Sequence, residues 1–213
     1  MAYTLQAQVN CTPNNITLSS QTAVDEFVMN YGTCDNIVGD LVIGIRVFGL
    51  GITSDITNLN GLQNLTSIGG HLYISGNPQL TNIAGLQNLT SIGETLVILQ
   101  HSQLTNIDGL QNLSSIGGGL TIQSNAKLME FCGLKLLLSS PNNGVTSMNI
   151  GGNASNPTES DIINGDACSR VLPPPVVEEE EETEELPVFP KLGLIVFGII
   201  IFGLGVIRVY RLG

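Results

Sequence analysis

The chain has 213 residues, 7 Lys+Arg against 18 Asp+Glu for a formal net charge of −11, and a mean hydropathy of +0.27. With so few bases no basic stripe exists to neutralise phosphates, which argues against a nucleic-acid partner. At 12 % charged residues the chain is also too apolar to be wholly disordered. The charge is unevenly placed: seven of the acids are Glu178, Glu179, Glu180, Glu181, Glu182, Glu184 and Glu185, while Lys191, Arg208 and Arg211 flank an apolar run near the end. The order is body, acidic linker, apolar segment and short basic tail.

At the amino end, residues 1–10 lack the basic and long apolar stretches of a secretory signal, and Leu5–Gln8 reads as the remnant of a cleavage region with the true start upstream. Val24, Phe27, Val28 and Tyr31 then follow helical spacing behind Thr22, with Asp25 three residues after it. This predicts an amphipathic helix with a capping-box start. Next, Ile37, Leu41 and Ile43 form a partial copy of a pattern that is complete further on.

Three 24-residue units run 56–79, 80–103 and 104–127, opening ITNLNGLQNLTSIGG, LTNIAGLQNLTSIGE and LTNIDGLQNLSSIGG. Leu62/Leu86/Leu110, Leu65/Leu89/Leu113, Ile68/Ile92/Ile116, Leu72/Leu96/Leu120 and Ile74/Ile98/Ile122 are aliphatic columns. Apolar residues at 72/74, 96/98 and 120/122 alternate with the period of a strand. One such unit cannot bury its own apolar side, so neighbours must stack and share a core. The expectation is a mainly β solenoid with parallel strands near 41–43, 72–74, 96–98, 120–122 and 148–150. The in-register Asn58/Asn82/Asn106 and Asn64/Asn88/Asn112 are placed to bond from unit to unit or to turn backbone.

Downstream, Leu128, Phe131, Gly133, Leu134 and Leu137 copy the opening of a unit, and Met148, Ile150 and Asn153 its end. Asn156–Pro157 precedes a predicted short helix over 158–164, stopped by Gly165. An open stack needs such caps over its exposed ends. Cys11 and Cys34 bracket the first helix, and Cys132 and Cys168 the last partial unit. Four cysteines allow three pairings. Proximity favours Cys11–Cys34 and Cys132–Cys168, four reduced thiols being the alternative; no Cys-x-x-Cys spacing supports zinc.

Residues 171–187, with Pro173–Pro174–Pro175 and the glutamates, predict a stretched, disordered stalk. The uncharged run 192–207 would rise about 24 Å as a helix. Counting Val188–Phe189 and Val209–Tyr210 as interfacial, it predicts a membrane helix within 188–213. Arg208 and Arg211 after it place the carboxyl end in the cytoplasm and the body outside.

Catalysis is poorly supported. Asp55, Glu94 and Asp108 fall in different columns, and no nucleophile, phosphate-loop or metal motif occurs. No cofactor or metal is expected. His101 shares a column with Asn77 and Asn125 and reads as a ladder substitution. Asn-x-Ser/Thr triplets occur at Asn15, Asn64, Asn88, Asn112 and Asn153; in the repeats they read as turn packing in preference to glycan attachment, because the same triplet recurs at an inward-looking corner. Strand alternation turns His71, Tyr73 and Ser75, then Thr95, Val97 and Leu99, then Gly119, Thr121 and Gln123 outward, and these vary between units while the inward columns do not. That varied face is the candidate binding surface, with passive variation as its alternative.

The Leu-Thr-Ser-Ile-Gly-Gly-x-Leu-x-Ile pattern and the Leu-Thr-Asn-Ile-x-Gly-Leu restart resemble the receptor L domain, in the version found in secreted and surface proteins of bacteria. There the module opens with an apolar helix before a Cys, as in Val24–Cys34, and closes with Cys132–Gly133–Leu134, Asn156–Glu159 and Cys168. The resemblance covers roughly 17–168 within a body of 11–170, and implies a leucine-rich, right-handed β-solenoid. Pro187, Gly193 and Leu194 also resemble an IPTL-CTERM sorting tail, which implies a sorting peptidase as partner. Residues 188–192 depart from that pattern. The whole reads as a cell-surface, membrane-anchored, non-catalytic module that binds an extracellular protein or glycan. The alternatives are a structural envelope protein and a polysaccharide-acting enzyme.

Overall fold

The structure is a computed structural model that describes residues 10–11, 15–45 and 53–168. The chain divides into two units, Met1–Val171 and Leu172–Gly213, and every described residue lies in the first. The expected signal remnant, acidic linker, apolar run and basic tail lie outside the described residues. Among those described, no helix is long and apolar enough to cross a membrane.

The alternating segments form a parallel sheet of six strands. In chain order these are β2 (Ile16–Leu18), β4 (Leu41–Gly44), β6 (Leu72–Ser75), β8 (Leu96–Leu99), β10 (Gly119–Gln123) and β11 (Ser147–Gly151), and each pairs with the next in register. All five expected strands are present. Leu41, Leu72, Leu96 and Leu120 stack in one row and Ile43, Ile74, Ile98 and Ile122 in the next, all fully buried. Every unit thus adds the same two side chains to one shared core.

A second parallel sheet escaped the sequence reading. It consists of β1 (Asn10–Cys11), β3 (Asn36–Ile37), β5 (Ser67–Ile68), β7 (Ser91–Ile92) and β9 (Ser115–Ile116). Two-residue strands show no alternation, so only the recurring Ser-Ile pair marked them. Its Ile37, Ile68, Ile92 and Ile116 are buried in the same core cluster. Short helices complete a mixed α/β arrangement.

Between the sheets, each unit makes a 3₁₀ turn: Asn60–Leu62, Ala84–Leu86, Asp108–Leu110 and Cys132–Leu134. A Cβ on Gly85, Gly109 or Gly133 would fall on the carbonyl oxygen of Leu59, Ile83 or Ile107 in the turn below. Only glycine lets these turns stack so closely. The side-chain oxygens of Asn58, Asn82 and Asn106 accept from the backbone N–H of Asn60, Ala84 and Asp108 at 3.0, 3.1 and 3.3 Å, opening each turn.

The expected amino-terminal helix is two short ones, α1 (Gln21–Asp25) and α2 (Phe27–Tyr31). The capping residue is Ser20, whose hydroxyl accepts from Ala23 N–H at 3.2 Å, so Thr22 lies inside the helix and not at its cap. The break at Glu26 also interrupts the helical period. Val24 and Phe27 are buried, but Val28, expected beside them, is 43 % exposed. Gln21 fastens this cap to the first unit: its side-chain oxygen accepts from Thr57 and Asn58 N–H at 2.8 and 3.1 Å.

At the other end, α3 (Lys135–Ser139) is followed by α4 (Glu159–Asn164), the helix expected over 158–164. Thr158 and Asp161 form a capping box, and Gly165 ends the helix at φ 90°. Those bonds from Thr158 hold the exposed Asp161 carboxyl below its ordinary value. α4 lays Ile162 onto the core, and a disulfide joins Cys132 to Cys168, their Cα atoms 5.0 Å apart. Cys34 is buried and disulfide-bonded as well. The side chain of Cys11, its expected partner, lies outside the described residues.

Candidate functional site

The six-stranded sheet fixes what its outer face presents. One row runs Thr17, Val42, Tyr73, Val97, Thr121, Asn149, and another Gly44, Ser75, Leu99, Gln123, Gly151. Tyr73, Val97, Leu99, Thr121 and Gln123 are half-buried, as are His71 and Thr95 beside them. The rings of His71 and Tyr73 lie 5.4 Å apart, and Gln123 donates through Nε2 to Asn149 Oδ1 at 2.8 Å. His71 is further fixed by its own N–H, which donates to Asp40, and by Nδ1, which accepts from Thr95 N–H at 3.1 Å. The structure therefore brings these seven of the sequence-predicted residues onto one surface.

Ser75 departs from that expectation. It occupies an outward row but is 3 % exposed, and its hydroxyl oxygen has no hydrogen-bond partner. Val42, also on this side, is 8 % exposed, between the exposed Thr17 and the half-buried Tyr73.

At the ends of β6, β8, β10 and β11 the chain turns through a left-handed corner. The four corner residues are Gly76, Gln100, Ser124 and Gly152, with φ between 59° and 66°. The next residue points inward and builds the ladder Asn77, His101, Asn125, Asn153. The Asn125 amide accepts from His101 N–H at 3.0 Å and donates to the Ile98 carbonyl at 3.2 Å. Asn153 repeats this on Asn125 N–H and the Ile122 carbonyl at 3.1 and 2.9 Å. Asn77 donates to the Ile43 carbonyl and accepts from the Ser54 hydroxyl. Each side chain clamps the strand end of the unit before it.

His101 is the exception within the ladder. It is fully buried, with Nδ1 3.1 Å from the Asn77 carbonyl oxygen and Nε2 3.1 Å from that of Ile74. A neutral imidazole carries one N–H and satisfies only one of these two acceptors. Burial pushes its pKa below the ordinary value, against the pull of the two carbonyls. The reading of His101 as a ladder substitution stands.

A trough of about 540 Å³ along the short sheet has no counterpart among the sequence-based expectations. It is lined by Asn36, by Ser67, Ser91 and Ser115, and by the glycines that follow the isoleucines. The repeated Ser was the available signal. Ser67 donates to Asn36 Oδ1 at 2.8 Å.

The repeat triplets need a correction. Asn64, Asn88 and Asn112 are exposed, not inward. Their corner carries buried Leu65, Leu89 and Leu113 one residue later, so the amide is left outside. Turn packing itself holds: Asn88 and Asn112 donate to the carbonyls of Gln63 and Gln87 at 2.8 and 2.7 Å. Among the described residues no group of three or more His, Cys, Asp or Glu is placed to hold a metal. No curated protein matches the chain. The stretch that contains the aliphatic columns and the 3₁₀ turns, residues 33–135, matches the family model of the receptor L domain.

Proposed function

We propose that this chain is an extracellular recognition module that binds its ligand on the outer face of the six-stranded sheet and performs no chemistry. In this reading the units wind as a right-handed β-solenoid, with the body held at the cell surface by the apolar run 192–207. A sorting peptidase that trims the tail is a further part of the proposal. One observation carries the reading: rows that are uniform on the buried side of the strands change from unit to unit on the open side. His71 and Tyr73 give way to Thr95, Val97 and Leu99, and then to Thr121 and Gln123. The receptor L-domain match over the same units supports an extracellular, ligand-binding role.

Replacing Tyr73 and Leu99 together with Ser, in cells that display the full chain, tests this. The expected outcome is loss of attachment to the ligand-bearing surface at unchanged display. Unchanged attachment rejects the face. Deleting 192–207 should release the body into the medium, and a body that still sediments with membranes rejects the anchor.

A further inference from the structure

We infer that the ligand on this face is an uncharged glycan chain laid across the strands. The inference rests on the assignment of the outer face as the binding surface and goes further by naming its chemistry.

The first observation is charge. In a chain of net charge −11, none of the six strands of the long sheet contains an Asp, Glu, Lys or Arg. The acids of the body lie outside these strands, Asp40 and Glu94 just ahead of β4 and β8 and Asp35, Asp108 and Glu130 further off along the chain. An acidic polymer would find no cation here, and the nearest carboxylates, Asp40 and Glu94, stand at the strand entrances, with Asp40 already accepting from the His71 N–H at 2.8 Å. A neutral polymer displaces water from this surface without stripping any ion of its hydration.

The second observation is the mixture of groups. Tyr73, tilted against His71 with centroids 5.4 Å apart, offers a fixed aromatic ring to the C–H face of a sugar. Leu99 lies one row over. Beyond them, the 2.8 Å bond from Gln123 to Asn149 engages one end of each amide and orients the other ends, the Gln123 oxygen and the Asn149 NH₂, as a fixed acceptor and donor. Thr121 lies between Val97 and Asn149 in the row that contains Tyr73. Rings and amides are therefore separated along the strand stack, which repeats every 4.8 Å or so. That is close to the length of one pyranose unit in an extended β-linked chain, so consecutive sugars would meet consecutive strands.

The test uses the full chain in detergent and retention on neutral insoluble β-glucan and mannan, with polygalacturonate as the acidic control. Retention on a neutral glycan is expected, at least tenfold weaker for Tyr73→Ala and for Thr121→Lys, and preserved in Tyr73→Phe. Ser91→Ala in the short-sheet trough should bind as the parent does. Thermal unfolding of each variant separates lost binding from lost folding, and Thr121→Lys, at a half-exposed site, keeps the test decisive should Tyr73→Ala unfold. Retention on polygalacturonate alone, or neutral retention indifferent to Tyr73 and Thr121, overturns the inference. Should the Tyr73→Ser, Leu99→Ser pair abolish surface attachment while no neutral glycan binds or competes, the face stands as a binding site and the glycan assignment fails, with a protein ligand in its place.

Discussion

The two sides of the long sheet are built from the same strands under opposite constraints. On the inner side, Leu96 and Ile98 sit between identical residues above and below, fully buried. On the outer side, Val97 sits between Tyr73 and Thr121, half-buried and unmatched. The inner rows must fit neighbours at strand spacing, so a change in one unit is felt by two others. The outer rows need only tolerate water and whatever docks there. On the proposed function, stability and recognition are separated by one residue along the chain, and substitutions can be chosen to strike one without the other.

The heaviest damage is expected where the stack is fastened or most tightly spaced. Cys132 and Cys168 close a loop of 36 residues. Replacing both with Ser is expected to lower the unfolding free energy by about 4 kcal/mol in denaturant titration. Gly109→Ala sets a Cβ on the Ile83 carbonyl and should lose about 3 kcal/mol, with ligand retention intact below the transition.

The ladder sharpens the comparison through pH. The pKa of His101 is lowered in the folded protein from its ordinary 6.5. Folding therefore favours the neutral ring: this contribution is full above about pH 6.5 and is lost as pH falls toward the folded value. His101→Asn restores an amide that can donate to the Ile74 carbonyl. It should raise stability at neutral pH and flatten the loss between pH 6.5 and 5, read from thermal midpoints across that range. Equal acid sensitivity in both proteins would remove His101 from the account. The smallest effect is at the corners, where Gln100→Gly relieves a left-handed backbone at φ 62° and should gain about 1 kcal/mol.

The sequence made the inner rows legible because two aliphatic residues per strand, repeated at 24, can mean little else. Strands β4, β6, β8, β10 and β11 were found this way, and α4 from Pro157 and Gly165. The short sheet was hidden because Ser67–Ile68 and its copies are too brief to show a period. Thr22 misled because Ser20, two residues earlier, supplies the cap. At the candidate site, alternation placed Tyr73, Val97, Leu99, Thr121 and Gln123 correctly. It could not show that Ser75, on the same row as Leu99, is buried. Nor could it show the Gln123–Asn149 bond, which depends on register across a connection longer than the repeat.

The most direct measurement sets two adjacent residues of β8 against each other. Ile98→Ser and Val97→Ser are compared for unfolding free energy and for retention on the ligand surface. Ile98→Ser should cost about 3 kcal/mol and leave retention by the folded fraction unchanged. Val97→Ser should cost less than about 1 kcal/mol and weaken retention. Equal stability losses, or a retention loss confined to Ile98→Ser, would contradict the division between a buried and a binding side.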